Sequence, residues 1–197
     1  MSLASTASLP DSAKNQQPAK DTELLIKQAA AGNQYAFNEL CAFYYQDVRR
    51  FVTYFLGSSC HAEDAVQEVF TALITSLKRY KFQAAFKTYL FAIARNTSRK
   101  FLKKIVRENK NRSLARTIPD PRPSSGEKHN MHTEKKRLNQ ALGRLNSKYR
   151  EPLLLRELEN MSYEEIATTL CLKTGTVKSR INTAKKKMLV LLNNRSK

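Results

Sequence analysis

Glycine is scarce in this chain, with five in 197 residues, tryptophan is absent, and acidic residues are outnumbered about two to one by basic ones. So few glycines leave no Gly-rich loop of the kind that cradles nucleotide phosphates, and with it no visible machinery for nucleotide hydrolysis. The cysteines Cys41, Cys60 and Cys171 are scattered and odd in number, which suits reduced thiols packed as small hydrophobes better than a disulfide framework, so no structural bridge is expected. No segment approaches the roughly 18 consecutive apolar residues needed to span a bilayer, so no membrane insertion is expected. Residues 1–20 are rich in Ser, Ala, Pro and Gln and lack both a basic start and an apolar run, so they read as a disordered tail rather than a secretory signal. A cytoplasmic location is the expectation. The histidines His61, His129 and His132 do not converge with an obvious nucleophile, and the His129–His132 pair has neither cysteine nor helix support, so no catalytic, metal or cofactor site is expected.

What the chain has is positive charge and helical periodicity. Its 35 Lys and Arg against 17 Asp and Glu leave a net +18, which favours a large polyanion such as nucleic acid over an acidic metabolite or, less well, an anionic membrane surface. Asp21 opens a short helix that Gly32 can stop, and a longer one should run from about 34 to 56. Most of its aromatic residues, Tyr35, Phe37, Phe43, Tyr44, Phe51, Tyr54 and Phe55, are expected in the core rather than against bases. From 61 to 80 the residues Val66, Val69, Phe70, Leu73, Ile74 and Leu77 recur at offsets 0, 3, 4, 7, 8 and 11, one apolar face of a helix. Glu63, Asp64, Gln67 and Glu68 lie largely off that face. A fourth helix over 86–105 starts apolar and turns basic through Arg95, Arg99, Lys100, Lys103 and Lys104.

The apolar period fades after Val106, and Pro119, Pro121, Pro123, Ser124, Ser125 and Gly126 cluster as helix breakers. The expected organisation is therefore all-α: two small helical domains, 21–105 and 134–192, joined by a flexible linker at 106–133 and followed by a basic tail at 193–197. About 27 linker residues can extend to roughly 90 Å, enough for two modules to grip DNA about two helical turns, near 70 Å, apart. Helices in the second domain are expected near 134–144, 147–159, 162–170 and 174–192.

Ser162-Tyr163-Glu164-Glu165 fits a capping box, in which the Ser162 hydroxyl accepts from the Glu165 amide while the Glu165 carboxylate accepts from the Ser162 amide. Ile166, Ala167 and Leu170 then face inward. After a short turn, Val177, Ile181, Ala184 and Met188 form the inward set of the next helix, at offsets 0, 4, 7 and 11. That leaves Thr176, Lys178, Ser179, Asn182, Thr183 and Lys186 outside, with amides, hydroxyls and cations where base edges and phosphates can meet them. No acidic residue occurs from Cys171 to Lys197. The spacing, turn and one-signed charge together make a DNA-binding helix-turn-helix. Lys178, Ser179 and Asn182 rank highest for base reading, and Lys173, Arg180 and Lys186 for phosphates.

Two separated stretches carry a family resemblance across residues 21–192. Ala62-Glu63-Asp64-Ala65-Val66-Gln67-Glu68-Val69-Phe70, and Ser162 to Ala167 followed by Gly175-Thr176-Val177-Lys178-Ser179-Arg180-Ile181, resemble the signatures of the extracytoplasmic-function group of bacterial sigma factors; Ile93-Ala94-Arg95-Asn96 and Leu145 to Leu158 also follow that pattern. The resemblance implies a first domain that docks on the clamp helices of core RNA polymerase and melts the minus-ten promoter element. It implies a second domain that reads the minus-thirty-five element as duplex, a linker that threads into the polymerase, and an anti-sigma factor as a further partner. By the same resemblance Asp64, Gln67 and Glu68 contact the polymerase. Strand opening falls to Phe82, Phe86, Lys87, Tyr89, Arg95, Asn96, Arg99 and Lys103, with Phe86 and Tyr89 equally fit for the core. The chain departs from the pattern at Tyr89, where the family usually has Trp, at Lys100 in place of Asp, at Cys171 in place of Gly, and at Thr183 in place of a basic residue. The rival to this reading is a helix-turn-helix repressor or activator that binds operators unaided.

Overall fold

The computed structural model describes residues 20–57, 61–115 and 131–193, and of 20, 21, 109–115, 131–133 and 135 it describes the backbone alone. Among the described residues there are eight helices and no strand: α1 Lys20–Ala30, α2 Gln34–Leu56, α3 Ala62–Leu77, α4 Phe86–Ala115, α5 Met131–Arg144, α6 Ser147–Glu157, α7 Tyr163–Leu170 and α8 Thr174–Asn193. The N-terminal tail expected over residues 1–20 lies almost wholly outside this range, as do Cys60, the Pro cluster, His129 and the last four residues.

Local signals set the helix ends. Gly32 takes φ 97°, and the amides of Gly32 and Asn33 fold back onto the carbonyls of Ala29 and Gln28 at 3.0 and 2.9 Å, closing α1. Asn33 then caps α2, its side chain accepting from the Ala36 amide at 3.1 Å. α2 ends on Gly57 at φ 69°, where the glycine amide donates to the Thr53 carbonyl. The helix expected over 86–105 instead continues to Ala115. Six of the ten added residues, Arg107, Glu108, Lys110, Arg112, Leu114 and Ala115, are good helix formers.

The first core is built on α2, where Phe51 and Phe55 are fully buried and Phe51 meets Phe91 of α4 edge-on at 5.4 Å. α3 closes it with Val66, Val69, Leu73 and Leu77. Two members of the expected α3 stripe sit at its margin: Phe70 is half-buried and stacks on Tyr45, and Ile74 is exposed. The second core is made by Leu142, Leu145, Leu154, Leu155, Met161, Ile166 and Leu170 with the inward set of α8, Val177, Ile181, Ala184 and Met188, all buried.

The two bodies are packed on each other: α2 meets α5 and α6, and α4 meets α7. Arg150, 4% exposed, lies over the Phe55 ring at 5.3 Å and donates to the Leu142 carbonyl. Burial lowers its pKa from the usual guanidinium value.

Candidate nucleic-acid interface

The helix-turn-helix is assembled from α7, a three-residue turn and α8. Both halves of the capping box form: the Glu165 amide donates to the Ser162 hydroxyl at 3.1 Å, and the Ser162 amide to the Glu165 carboxylate at 2.7 Å. Helix α7 terminates on Cys171, which adopts φ 53°, ψ 51°, the left-handed conformation that favours glycine, while the next amide, Leu172, reaches back to the Ala167 carbonyl at 2.9 Å. This fixes the angle at which α8 leaves.

With Val177, Ile181, Ala184 and Met188 turned inward, Lys178, Ser179, Asn182 and Lys186 stand exposed on α8, Lys173 is exposed just before it, and Thr176, Arg180 and Thr183 are half-exposed. The Thr183 hydroxyl donates back to the Ser179 carbonyl at 3.0 Å, so its hydrogen is already committed within the helix. Lys178 is not free to sweep at random, since its ammonium lies 5.3 Å from the centre of the Tyr163 ring, which also carries the Arg156 guanidinium at 4.8 Å. Helical periodicity assigned Tyr163 only to the capping box. Its second role, orienting a recognition-helix cation, depends on packing between α7 and α8.

In the first body, Asp64, Gln67 and Glu68 form an exposed polar face on α3. Their neighbour Glu63 is tied down, accepting from Tyr45 at 2.8 Å and from Arg49 Nε at 2.6 Å. Those two donors hold its carboxyl below the usual carboxylate range, and the brace fixes α3 to α2.

The 81–85 loop joins α3 to α4 and is organised around Tyr80, whose hydroxyl donates to the Ala84 carbonyl at 2.6 Å and whose ring contacts Phe82, Phe86 and Tyr89. Phe82 is 42% exposed at φ 55°, an outlier for a bulky residue. Phe86 is buried at 2% exposure, between Tyr44 and Tyr80, because the first turn of α4 seats it in the core; its face is not open to a base in this arrangement. Tyr89 is half-buried, its hydroxyl donating to the Ser76 carbonyl. Asn96 and Lys103 are exposed. A cavity of about 290 Å³ lies between this loop and α7, lined by Arg79, Tyr80, Lys81, Thr88 and Tyr89 on one side and Thr168 and Thr169 on the other. The Thr88 hydroxyl is buried at its wall without a hydrogen-bond partner among the described residues.

The remaining three strand-opening candidates are engaged by α6 and the residues just after it. Arg95 Nε donates to Glu151 Oε2 at 2.9 Å, Arg99 Nε to Glu151 Oε1 at 2.6 Å, and Lys87 Nζ to the Glu159 carbonyl at 2.6 Å. Glu151 had a sequence signal that periodicity leaves uninterpreted: it lies four residues before the fully buried Leu155, on the inward side of α6. Among the described residues no group of His, Cys, Asp and Glu could hold a metal ion, and no helix is long and apolar enough to cross a membrane.

Residues 42–108 match the family model for sigma-70 region 2, and residues 135–188 that for sigma-70 region 4. The ECF RNA polymerase sigma factor SigC of Mycobacterium tuberculosis is 31% identical over 169 residues, covering 84% of this chain and 88% of that protein. The ECF RNA polymerase sigma-E factor of Escherichia coli K12 is 30% identical over 168 residues, covering 81% and 87%. Among solved structures, that of CnrH in complex with the cytosolic domain of CnrY aligns with a TM-score of 0.70 at 27% identity, over 89% of this chain and 99% of the other. The sigma factor RpoE of Bartonella quintana, solved with the anti-sigma factor NepR, shares the fold with a TM-score of 0.64 at 23% identity, over 82% and 98%. Helix-turn-helix geometry, two family matches in the right order and relatives aligned over most of their length agree: the chain belongs to the extracytoplasmic-function group of the sigma-70 family of RNA polymerase sigma factors.

Proposed function

We propose that this sigma factor divides its work between the surfaces described above. Asp64, Gln67 and Glu68 on α3 dock on the clamp helices of core polymerase. Lys178, Ser179 and Asn182, helped by Thr176 and Thr183, read the minus-thirty-five element in the major groove. Lys173, Arg180 and Lys186 grip its phosphates. The observation that carries this reading is the exposed face of α8, held at a fixed exit angle by the capping box and Cys171, in a segment without one acidic residue from Cys171 onward.

Strand opening at the minus-ten element belongs to the 81–85 loop and α4. A displaced base needs a pocket, a stacking ring and a hydrogen-bonding group, and its strand needs cations. Phe82 offers an exposed ring held in a strained backbone conformation, Tyr89 lines the cavity beside the unpaired Thr88 hydroxyl, and Lys87, Arg95, Asn96, Arg99 and Lys103 offer donors along α4. Phe86 supports this loop from below. The protein so read is not an enzyme: it positions and opens DNA inside the cell for a polymerase that does the chemistry, and needs no cofactor. Residues 21–105 and 134–192 are its two working domains, with 106–133 as the linker. The complexes of two proteins of like fold, CnrH with the cytosolic domain of CnrY and RpoE with the anti-sigma factor NepR, support an anti-sigma factor as an additional partner.

The test is co-elution with core polymerase by size exclusion, comparing wild type with the double variant that carries Asp64→Ala and Glu68→Ala together. The wild type should elute with the polymerase and the double variant should elute largely free. A wild type that never associates reduces the protein to the rival, a regulator that binds operators unaided.

A further inference from the structure

Helix α1 carries none of the residues assigned to polymerase or DNA, yet its last turn reaches the strand-opening loop. There Lys27 lies over the Phe82 ring, its Nζ 5.7 Å from the ring centre, and the same ammonium pairs with Glu23 one turn earlier at 2.7 Å. The Tyr80 ring packs on Phe82 with centres 4.6 Å apart. Burial, and after it the charge of the Glu23 carboxylate, raises the Tyr80 phenol above its usual pKa, a second sign that α1 stands against this loop. The exposed ring therefore has two neighbours, one from its own loop and one from α1.

These neighbours are held with unequal strength. Tyr80 is half-buried and its hydroxyl is bonded to the Ala84 carbonyl at 2.6 Å, whereas the Lys27 and Glu23 side chains are 58% and 56% exposed. An exposed ion pair of this spacing is worth about twofold in an equilibrium constant, and a cation over an exposed ring about two- to fivefold. A nucleic-acid base stacked on an aromatic ring is worth about five- to 150-fold. A base that reaches Phe82 therefore displaces the ammonium and leaves Tyr80 in place. Glu23 loses its partner at little cost, because water replaces it.

We infer that Lys27 is a further DNA ligand of the strand-opening site: its ammonium covers the Phe82 ring in the free chain and passes to the phosphate of the nucleotide whose base takes its place. This rests on the assignment of Phe82 to the displaced strand made above. Phosphate then replaces the Glu23 carboxylate as the counter-ion of Lys27, and α1 becomes one edge of the track that the strand follows.

The test is titration of the full-length chain with a fluorescein-labelled oligothymidylate of about a dozen residues, repeated over a range of salt. Lys27→Ala should weaken binding about threefold and lower the slope of log affinity against log salt by about 0.7, the value for one phosphate on a single strand. Lys27→Arg should restore both. Made together with Phe82→Ala, Lys27→Ala should add less than about 1.5-fold, since no stacked base then brings a phosphate to it. A weaker affinity with an unchanged slope marks a lysine that only props the loop and overturns the inference. So does an equal loss with and without Phe82, the behaviour of a cation that attracts the strand from anywhere; Lys148→Ala, at an exposed position of α6, gives that behaviour for comparison. If Phe82→Ala alone leaves affinity unchanged, the strand-opening reading of the loop fails and Lys27 falls with it. If Phe82→Ala weakens binding while Lys27→Ala alters neither affinity nor slope, only the role of Lys27 is overturned.

Discussion

Replacing Cys171 by glycine should stabilise the protein, and the size of the gain follows from three quantities. Cys171 sits at φ 53°, ψ 51° as the residue that ends α7, where an L side chain costs about 1–2 kcal/mol and glycine almost nothing. Against this, glycine adds conformational freedom to the unfolded chain, worth about 0.4–1 kcal/mol. The side chain itself contributes little. It is exposed, and its thiol reaches only the Thr168 carbonyl at 3.8 Å, a weak donor at long range. The net expectation is about 0.5–1 kcal/mol in favour of Cys171→Gly. Equilibrium urea unfolding should show a higher midpoint with an unchanged slope, because the buried surface does not change. Cys171→Ala is the control, since it removes the thiol but keeps the Cβ and should gain nothing. If glycine proves no better than alanine at this position, the left-handed strain has been misjudged and the turn is held by something other than backbone preference.

Glu159 predicts a pH dependence. Burial pushes its carboxyl up to about 7 from 4.5, against the partial offset of Lys87 and Arg50, so the folded state holds a proton that the unfolded state gives up. This carboxyl therefore makes stability fall as pH rises from about 5 through 7, by at most about 3 kcal/mol. Glu159→Gln should flatten that fall in urea midpoints measured between pH 5 and 8, and an equal slope in both proteins would remove Glu159 as its source. On α8, Lys178→Ala or Asn182→Ala should cost about 1–3 kcal/mol at one base pair of the minus-thirty-five element. Equal weakening on every sequence would move that residue to the phosphates. Lys186→Ala should instead lower the slope of log affinity against log salt by about 1, and an unchanged slope would take it off the backbone.

The helices were legible because each has a period that one element carries by itself. Val177, Ile181, Ala184 and Met188 fall on one side of α8 at offsets read from the sequence, and all four are buried. The capping box was equally local, since its two hydrogen bonds join residues three apart. Legibility failed where the deciding contact was distant or the signal was propensity without pattern. Glu151 meets Arg95 and Arg99 across 56 and 52 residues of chain, and no period within α6 or α4 encodes that pairing. The extension of α4 to Ala115 has no apolar stripe to announce it, and Val106, Asn109, Asn111 and Ser113 dilute the good helix formers Arg107, Glu108, Lys110, Arg112, Leu114 and Ala115. Phe86 and Tyr89 were ambiguous because an aromatic ring serves a core or a base stack with the same chemistry; only the neighbours of Phe86, Tyr44 and Tyr80, decide its place.

The most direct measurement is to map the 5′ ends of RNA made on genomic DNA by core polymerase with and without the purified chain. Adding the chain should create a discrete set of start sites that share one upstream duplex element, and Lys178→Ala or Asn182→Ala should change which sites are used. The same start sites with and without the chain would contradict its assignment as an initiation factor.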